Sequence, residues 1–192
     1  MRLLLLARHG QSLFNVDDVV NGDPALDRGL SPVGIEEAQM LHGQLAGVSI
    51  DLCVVSEFPR AQQTARLALD GRNGIPVEVD PDLNDVRIGE LEGQTLDDYR
   101  TWKNAHAHAY PFPGGESLDD AARRYGAAFE RLLRRDEEKI LCVCHEIPVR
   151  YAINAANGSA DLDWPIHAIA NATPYVFDAA GLERAVRRLT SV

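Results

Sequence analysis

Two histidines and two arginines of this 192-residue sequence follow short apolar runs of the chain. Arg8 and His9 come directly after the first run, Arg60 lies shortly after the second, and His145 follows the third. Two guanidinium groups can bind a tetrahedral oxyanion through paired hydrogen bonds. Two imidazoles beside that anion can supply a nucleophile and a proton or charge partner. The residue types indicate phosphoryl transfer through a histidine, provided that the fold brings these side chains together.

The apolar runs predict the strands that would position these side chains. Arg2–Ala7, Leu52–Val55 and Ile140–Cys144 lack polar alternation, which is typical of parallel strands covered on both faces. Helical patterns lie between them and begin at the expected N-caps Ser31 and Ser117. Strands that alternate with helices predict an α/β sandwich with a mainly parallel sheet. Ligands of such sheets bind at the carboxyl ends of the strands, where all four side chains are expected.

Between the second and third predicted strands, the chain is less regular. Pro and Gly punctuate residues 70–108, and turn chemistry predicts a loop at Pro111–Gly115. A long irregular excursion inside a compact domain usually serves a site. Residues 1–192 are therefore expected to form one domain, in which a helical and irregular insertion at about residues 84–116 covers the active site.

A further prediction concerns the C-terminal part of the chain. Tyr175–Phe177 and Leu182–Leu189 are expected to form a β-hairpin around Asp178–Gly181.

Charge and composition limit the partners of the chain. The 19 basic and 29 acidic residues give a formal net charge of −10, and 45% of the residues are hydrophobic. An acidic surface repels nucleic acid and anionic lipid, so neither is expected as a partner. The apolar stretch Leu3–Leu6 has only four residues and is too short for a signal peptide or a membrane span.

The three cysteines are predicted to be core thiols. Cys53, Cys142 and Cys144 each lie in an apolar run, which favours reduced side chains and a cytoplasmic location. Cys142, Cys144 and His145 resemble a metal-ligand cluster, but the sequence offers no second ligand pair at suitable spacing. No metal and no cofactor are therefore expected.

Six segments carry a resemblance to a known family. The first is Arg8-His9-Gly10-Gln11-Ser12, with Asn15 downstream, and the others are Leu30–Gly34, Ser56–Ala65, Leu83–Gly93, Pro113–Ser117 and Cys144–Arg150. These segments resemble the histidine phosphatase superfamily, in its phosphoglycerate-mutase-like branch 1, and the resemblance extends from residue 2 to about residue 177. The resemblance implies a three-layer α/β sandwich of that type.

The resemblance also implies residue roles. His9 would be the nucleophile that forms a phosphohistidine, and Asn15 would add a neutral hydrogen bond to the phosphoryl group. The phosphoryl oxygens would be held by two arginines and a protonated imidazole, which are Arg8, Arg60 and His145.

Two positions depart from the family pattern. The proton donor, usually Glu, is Asp85, whose side chain is one methylene shorter, so its carboxyl must approach more closely or act through water. Glu90 is the alternative acid. The residue after the second histidine, often Gly, is Glu146, which is expected to face solvent.

The resulting hypothesis is a metal-independent phosphatase that acts on a small phosphorylated metabolite. Two alternatives remain open from the sequence: a phosphoglycerate mutase, which returns the phosphoryl group to another hydroxyl, and a non-catalytic protein that binds a phosphorylated ligand. The identity of the substrate and the oligomeric state are left open.

Overall fold

A five-stranded sheet forms the centre of the protein, and the computed structural model describes residues 1–192. The strand order is β3-β2-β4-β1-β5. Strands β1 to β4 are parallel, and β5 pairs antiparallel with β1 at the edge. The mainly parallel sheet is thereby confirmed. The strand bounds are β1 Leu3–Arg8, β2 Leu52–Val55, β3 Val77–Val79, β4 Lys139–Cys144 and β5 Pro174–Asp178.

Helices cover both faces of the sheet. Leu4 and Leu6 of β1 pack in a core with α5, α6 and α7, whereas Leu5 and Ala7 point to the opposite face and pack with α2 and α3. Side chains alternate along a strand, so the uninterrupted apolar run of β1 serves two cores at once. The predicted three layers are therefore present. The helix bounds are α1 Leu13–Val16, α2 Pro32–Gln44, α3 Pro59–Ala68, α4 Leu96–Ala105, α5 Leu118–Leu133, α6 Glu146–Ala156 and α7 Ala179–Leu189.

Both predicted N-caps begin helices. The Ser31 hydroxyl accepts the Gly34 N–H at 3.0 Å before α2. Ser117 and Asp120 form a reciprocal capping box at the start of α5. None of the helices combines the length and the apolar composition that a membrane crossing needs.

The predicted C-terminal hairpin is wrong in its second half. Tyr175–Phe177 lies in β5 as expected, but β5 pairs with β1, and residues 179–189 form α7. The Asp178 side chain accepts the Gly181 N–H at 2.7 Å and caps this helix. The buried residues of α7 recur at helical spacing, which the hairpin interpretation overlooked: Leu182, Ala185, Val186 and Leu189.

Candidate active site

A cavity of about 610 Å³ opens at the carboxyl ends of β1 and β4. Arg8, His9, Arg60 and Asp85 all contribute to its wall. His145 lies directly behind this wall, where its ring centroid is 5.2 Å from that of His9. The topology thus brings together the strand-end side chains, as the sequence predicted.

His9 is held as a neutral ring with a defined tautomer. Its Nδ1 lies 2.7 Å from the carbonyl oxygen of Gly10, which can only accept, so Nδ1 carries the proton. Nε2 accepts a hydrogen bond from Nε of Arg60 at 3.1 Å. Burial and the charges of Arg60 and Arg8 hold the pKa of His9 well below its ordinary value. Nε2 therefore stays unprotonated at neutral pH, and attack on a substrate requires only that its lone pair exchange the hydrogen bond from Arg60 for the electrophile.

Close backbone packing fixes the turn that follows His9. A Cβ atom on Gly10 would lie 2.4 Å from the carbonyl oxygen of Gly34, and one on Gly34 would lie 2.0 Å from that of Gln11. Only glycine allows this approach at either position. The Gly10 N–H also donates to the Thr64 hydroxyl at 3.0 Å. The loop that carries His9 is thereby held between the N-terminal end of α2 and the body of α3.

Arg60 is a buried guanidinium with a dense set of acceptors. It forms an ion pair with Asp27 over 3.0 Å, and its backbone N–H donates to the same carboxylate at 2.7 Å. Its Nη1 also donates to Oδ1 of Asn21 at 2.5 Å, and Glu92 in turn accepts from the Asn21 amide at 2.7 Å. These contacts fix the guanidinium against both histidines without depending on a ligand.

His145 is neutral in the free protein. Nη2 of Arg60 donates to its Nδ1 at 3.3 Å, so its proton lies on Nε2, 2.9 Å from the Ser56 hydroxyl. Burial is the main cause that holds the pKa of His145 well below its ordinary value, and Arg60 adds to it. The predicted protonated imidazole concerns the site with a bound phosphoryl group and stays a prediction.

Arg8 and Asn15 also line the cavity. Nη1 of Arg8 donates to the Ile169 carbonyl at 2.9 Å and pairs with Glu146 at 2.8 Å, while its Nε is buried without a partner. Oδ1 of Asn15 accepts the Ser12 N–H at 3.0 Å, so it is already used in capping α1. The groups of these two side chains left for a ligand are Nη2 of Arg8 and the amide nitrogen of Asn15.

Asp85 faces both the second histidine and the second arginine. Its Oδ2 lies 3.6 Å from Nη2 of Arg60 and 3.6 Å from Nδ1 of His145. Burial raises the pKa of Asp85 in spite of the opposing effect of Arg60. Glu90, the alternative acid, is exposed and does not line the cavity. The geometry favours Asp85 over Glu90.

Comparison with known proteins places this arrangement in a family. The family model of the histidine phosphatase superfamily (branch 1) matches residues 4–191. The chain belongs to this superfamily. The match covers the ends of the three strands and the residues His9, Arg60 and Asp85 that line the cavity.

Relatives of this superfamily member carry two kinds of name. The adenosylcobalamin/alpha-ribazole phosphatase of Escherichia coli is 37% identical over 155 residues, which are 76% of this chain and 74% of the relative. A 2,3-bisphosphoglycerate-dependent phosphoglycerate mutase of Methylobacterium is 36% identical over 171 residues, 82% of this chain and 81% of the relative. The crystal structure of the alpha-ribazole phosphatase from Shigella flexneri superimposes with a TM-score of 0.80 at 32% identity, covering 92% of this chain and 90% of that one.

Glu146 does not face solvent freely, so that prediction is wrong. Its two carboxylate oxygens pair with Arg8 at 2.8 Å and with Arg150 at 2.9 Å. At the first position of α6, it stands beside the positive end of the helix dipole. The superfamily member thus places a carboxylate next to Arg8, the first of the two arginines predicted to bind phosphate.

Several supporting residues were missed from the sequence. Asn21 and Asp27 accept from Arg60, and Ser56 contacts His145. The one available signal was general: a buried guanidinium needs hydrogen-bond acceptors, so acceptors for Arg60 had to exist somewhere in the chain. Nothing in the spacing indicated that the loop before α2 supplies them.

A buried ion pair holds the segment that carries Asp85. Arg124 of α5 pairs with Glu116 at 2.5 Å, and its guanidinium donates to the carbonyl oxygens of Asp82, Asn84 and Asp85 at 2.8, 2.9 and 3.2 Å. The Arg124 guanidinium therefore gives the backbone carbonyls of this irregular segment the hydrogen bonds that a strand or helix would otherwise supply. The position of the candidate acid depends on this contact.

No group of three or more His, Cys, Asp or Glu side chains is arranged to hold a metal ion. The cluster at Cys142, Cys144 and His145 does not form a ligand set, because both thiols point into the core beneath α5 to α7. The positive groups of the cavity are the side chains of Arg8, Arg60, Arg100, Lys103 and Arg150.

Proposed function

We propose that the chain is a phosphatase that hydrolyses a small phosphorylated metabolite through a phosphohistidine on His9. The observation that carries the proposal is the neutral His9 ring, whose Nδ1 is held by Gly10 and whose Nε2 lone pair faces Arg60. A nucleophile with this tautomer, buried beside guanidinium groups, suits attack on a phosphomonoester.

The chemistry has two steps. First, Nε2 of His9 attacks phosphorus, the bond between phosphorus and the ester oxygen breaks, and Asp85 gives its proton to the departing oxygen. Second, water attacks the phosphohistidine, Asp85 takes a proton from that water, and inorganic phosphate leaves as the phosphorus–nitrogen bond breaks. The raised pKa of Asp85 supports the acid role, since a protonated carboxyl is needed first.

Arg8, Arg60 and His145 would hold the phosphoryl oxygens in both steps. A dianion beside His145 favours protonation of that ring, because an opposite charge raises the pKa of an imidazole. Asn15 would add its amide N–H. We propose that these groups neutralise the developing charge and that catalysis needs no metal, so activity should survive exhaustive chelation.

The names of the relatives support a small phosphorylated metabolite as substrate, and one relative is an adenosylcobalamin/alpha-ribazole phosphatase. A phosphoglycerate mutase is the second candidate, because a relative of that name shares 36% identity over 82% of this chain. A mutase must bind the carboxylate of phosphoglycerate as well as its phosphate. The outer basic side chains already have carboxylate partners: Arg100 pairs with Asp97, Lys103 with Asp163, and Arg150 with both Glu146 and Asp163.

Residues 84–116 support the inference that one domain carries an insertion over the site. Tyr99 and Lys103 of α4 line the cavity. Lys103 and His108 pair with Asp163 at 2.9 and 3.0 Å, which links this segment to the loop after α6. We also propose a cytoplasmic location, which the free, buried state of all three cysteines supports.

Phosphate release tests the proposal. The purified protein and His9→Ala are assayed with a panel of alkyl phosphomonoesters and with 3-phosphoglycerate, the last with and without 2,3-bisphosphoglycerate, both before and after EDTA. The proposal predicts phosphate release by the wild-type protein only, unchanged by EDTA. Isomerisation faster than phosphate release would establish a mutase. Binding of phosphate without any turnover would establish a binding protein.

A further inference from the structure

Ser56 carries a buried hydroxyl whose one hydrogen-bond partner is a histidine of the candidate active site. The residue follows β2 directly and has no exposed surface. Its Oγ lies 2.9 Å from Nε2 of His145 and makes no other hydrogen bond. Burial of a hydroxyl costs free energy unless a partner satisfies it. The Ser56 side chain therefore serves His145 alone.

The segment that joins β2 to α3 holds the His145 ring on three sides. Ser56 contacts Nε2, the Phe58 ring packs against the imidazole with 4.5 Å between the centroids, and Nη2 of Arg60 donates to Nδ1 at 3.3 Å. The backbone of Ser56 is itself fixed, since its N–H donates to the Val143 carbonyl at 3.3 Å. The ring therefore has little freedom to turn away from either polar partner.

The direction of the Ser56 hydrogen bond follows from Arg60. A hydroxyl can donate or accept, whereas a guanidinium can only donate. Because Arg60 donates to Nδ1, the neutral imidazole keeps its lone pair on that nitrogen and its proton on Nε2. Ser56 therefore accepts the Nε2–H. It can keep this role when Nδ1 also gains a proton, so the contact suits both the neutral and the charged ring.

The surroundings of His145 oppose a positive charge in the free protein. Burial and the neighbouring guanidinium groups hold the pKa of this imidazole well below its ordinary value. The Asp85 carboxyl faces the ring, with Oδ2 3.6 Å from Nδ1, but its own raised pKa favours the uncharged form. The other groups that act on the ring are the side chains of Arg8, His9, Arg60 and Arg124. A charged His145 therefore needs both an anion and a hydrogen-bond acceptor.

The two nitrogens of His145 have different surroundings. Nδ1 is on the cavity side, because its neighbours Arg60 and Asp85 both line the cavity. Nε2 points to Ser56, which does not line it. A dianion in the cavity attracts a proton to Nδ1, and the charge that results is shared by both nitrogens. Hydrogen bonds from charged groups are stronger than those from neutral groups, so the contact with Ser56 gains strength at that moment.

We propose that Ser56 is a positioning residue of the active site: its hydroxyl accepts the Nε2–H of His145 and stabilises the imidazolium that forms when a tetrahedral dianion binds on the Nδ1 side. The proton comes from solvent and returns to it when the anion departs. Ser56 touches neither the substrate nor the reacting atoms and acts through His145. The inference rests on the proposed phosphatase function and adds the residue that helps to charge its second histidine.

Sulfate is the probe for this role, because it is a tetrahedral dianion that stays ionised throughout the neutral pH range. The protonation of His145 is followed by NMR of protein labelled with nitrogen-15 at histidine, and its signals are those lost in His145→Gln. Saturating sulfate should raise the pH midpoint of this imidazole in the wild-type protein. Ser56→Ala should lower the midpoint of the sulfate complex by about one pH unit, a change of about tenfold in the protonation constant, since the charged ring loses the stronger hydrogen bond.

Two further variants separate this role from packing. Ser56→Cys keeps nearly the same volume but replaces a strong acceptor by a weak one, so it should also lower the midpoint. Ser117→Ala is the matched control, because Ser117 is likewise a buried serine but caps α5 and contacts neither histidine. It should lower the thermal stability and leave the midpoint unchanged. A midpoint at the wild-type value in both Ser56 variants would overturn the inference.

Turnover is measured separately. Ser56→Ala should lower kcat/KM for an alkyl phosphomonoester about tenfold, and Ser117→Ala should leave it unchanged. If the wild-type protein released phosphate from no ester, the phosphatase proposal would fail, and the sulfate titration would still decide the role of Ser56. A wild-type His145 that stays neutral at saturating sulfate, or a protein that binds no sulfate, would overturn the inference on its own.

Discussion

Nε of Arg60 donates a hydrogen bond to Nε2 of His9 over 3.1 Å. The same guanidinium lies 3.6 Å from Asp85. One cation therefore orients the lone pair of the proposed nucleophile and faces the proposed acid. Asp27 and Asn21 hold this cation in place, so the site is organised before a substrate arrives.

The pH profile should reflect the two shifted groups. His9 must be neutral to attack, and its lowered pKa keeps it neutral well below the ordinary histidine range. Asp85 must be protonated to donate, and its raised pKa extends that form to higher pH. For an alkyl phosphate, kcat/KM should therefore fall as the pH drops through the pKa of His9 and fall again as it rises through that of Asp85.

The control for this profile is Asp85→Asn, in which the alkaline limb should disappear. The ionisation of the substrate is the same for both proteins, so a limb that differs between them belongs to Asp85. An alkaline limb of unchanged midpoint in Asp85→Asn would contradict the assignment.

The leaving group should decide how much Asp85 matters. A departing alkoxide needs a proton, whereas p-nitrophenolate leaves almost unaided. Asp85→Asn should slow hydrolysis of an alkyl phosphate by roughly 10²–10⁴-fold and affect p-nitrophenyl phosphate much less. Glu90→Gln, at an exposed carboxylate outside the cavity, should affect neither rate. Equal losses on both substrates would mean that Asp85 only positions its loop.

Glu146 should weaken phosphate binding through its pairing with Arg8. In Glu146→Gln the amide keeps a similar shape but the negative charge beside the phosphate pocket is gone. Inorganic phosphate should therefore inhibit this variant at several-fold lower concentration than it inhibits the wild-type protein. An unchanged or higher inhibition constant would show that Glu146 serves mainly to align Arg8 and Arg150.

The buried contact of Arg124 should stabilise both the fold and the position of Asp85. Arg124 and Arg87 both pair with Glu116, but their side chains are 12% and 67% exposed. Arg124→Met should cost about 3–5 kcal/mol, since it breaks a buried pair and leaves carbonyl oxygens without donors. Arg87→Met should cost less than about 1 kcal/mol. Thermal unfolding of the two variants measures the difference, and similar losses would contradict the argument.

Local sequence signals predicted much of the fold. The uninterrupted runs of β1 and β4 and the caps at Ser31 and Ser117 specify their elements locally, because each depends on a few neighbouring residues. Residues 182–189 were misassigned, since an apolar spacing that suits a helix was taken for the second arm of a hairpin. The N-cap at Asp178 was the signal that distinguishes a helix from the second arm of a hairpin.

The contacts between site residues that lie far apart in the chain could not be predicted from the sequence. The family motifs indicated His9, Arg60 and His145, but the acceptors of Arg60 come from a loop far away in the chain. The neutral state of His145 depends on its burial beside Arg60, which spacing cannot show. Glu146 likewise pairs with Arg8 only when β1 and α6 meet at one edge of the sheet, whereas its other partner, Arg150, lies one turn further along α6.

Trapping the covalent intermediate tests the central claim most directly. The protein is mixed with an alkyl phosphomonoester, quenched in alkali within one turnover, and mapped by peptide mass spectrometry, with His9→Ala as the control. We predict an acid-labile phosphate on Nε2 of His9, because Nδ1 donates to Gly10, and none in the variant. Rapid turnover with no phosphorylated histidine, or with the phosphate on His145, would contradict the account.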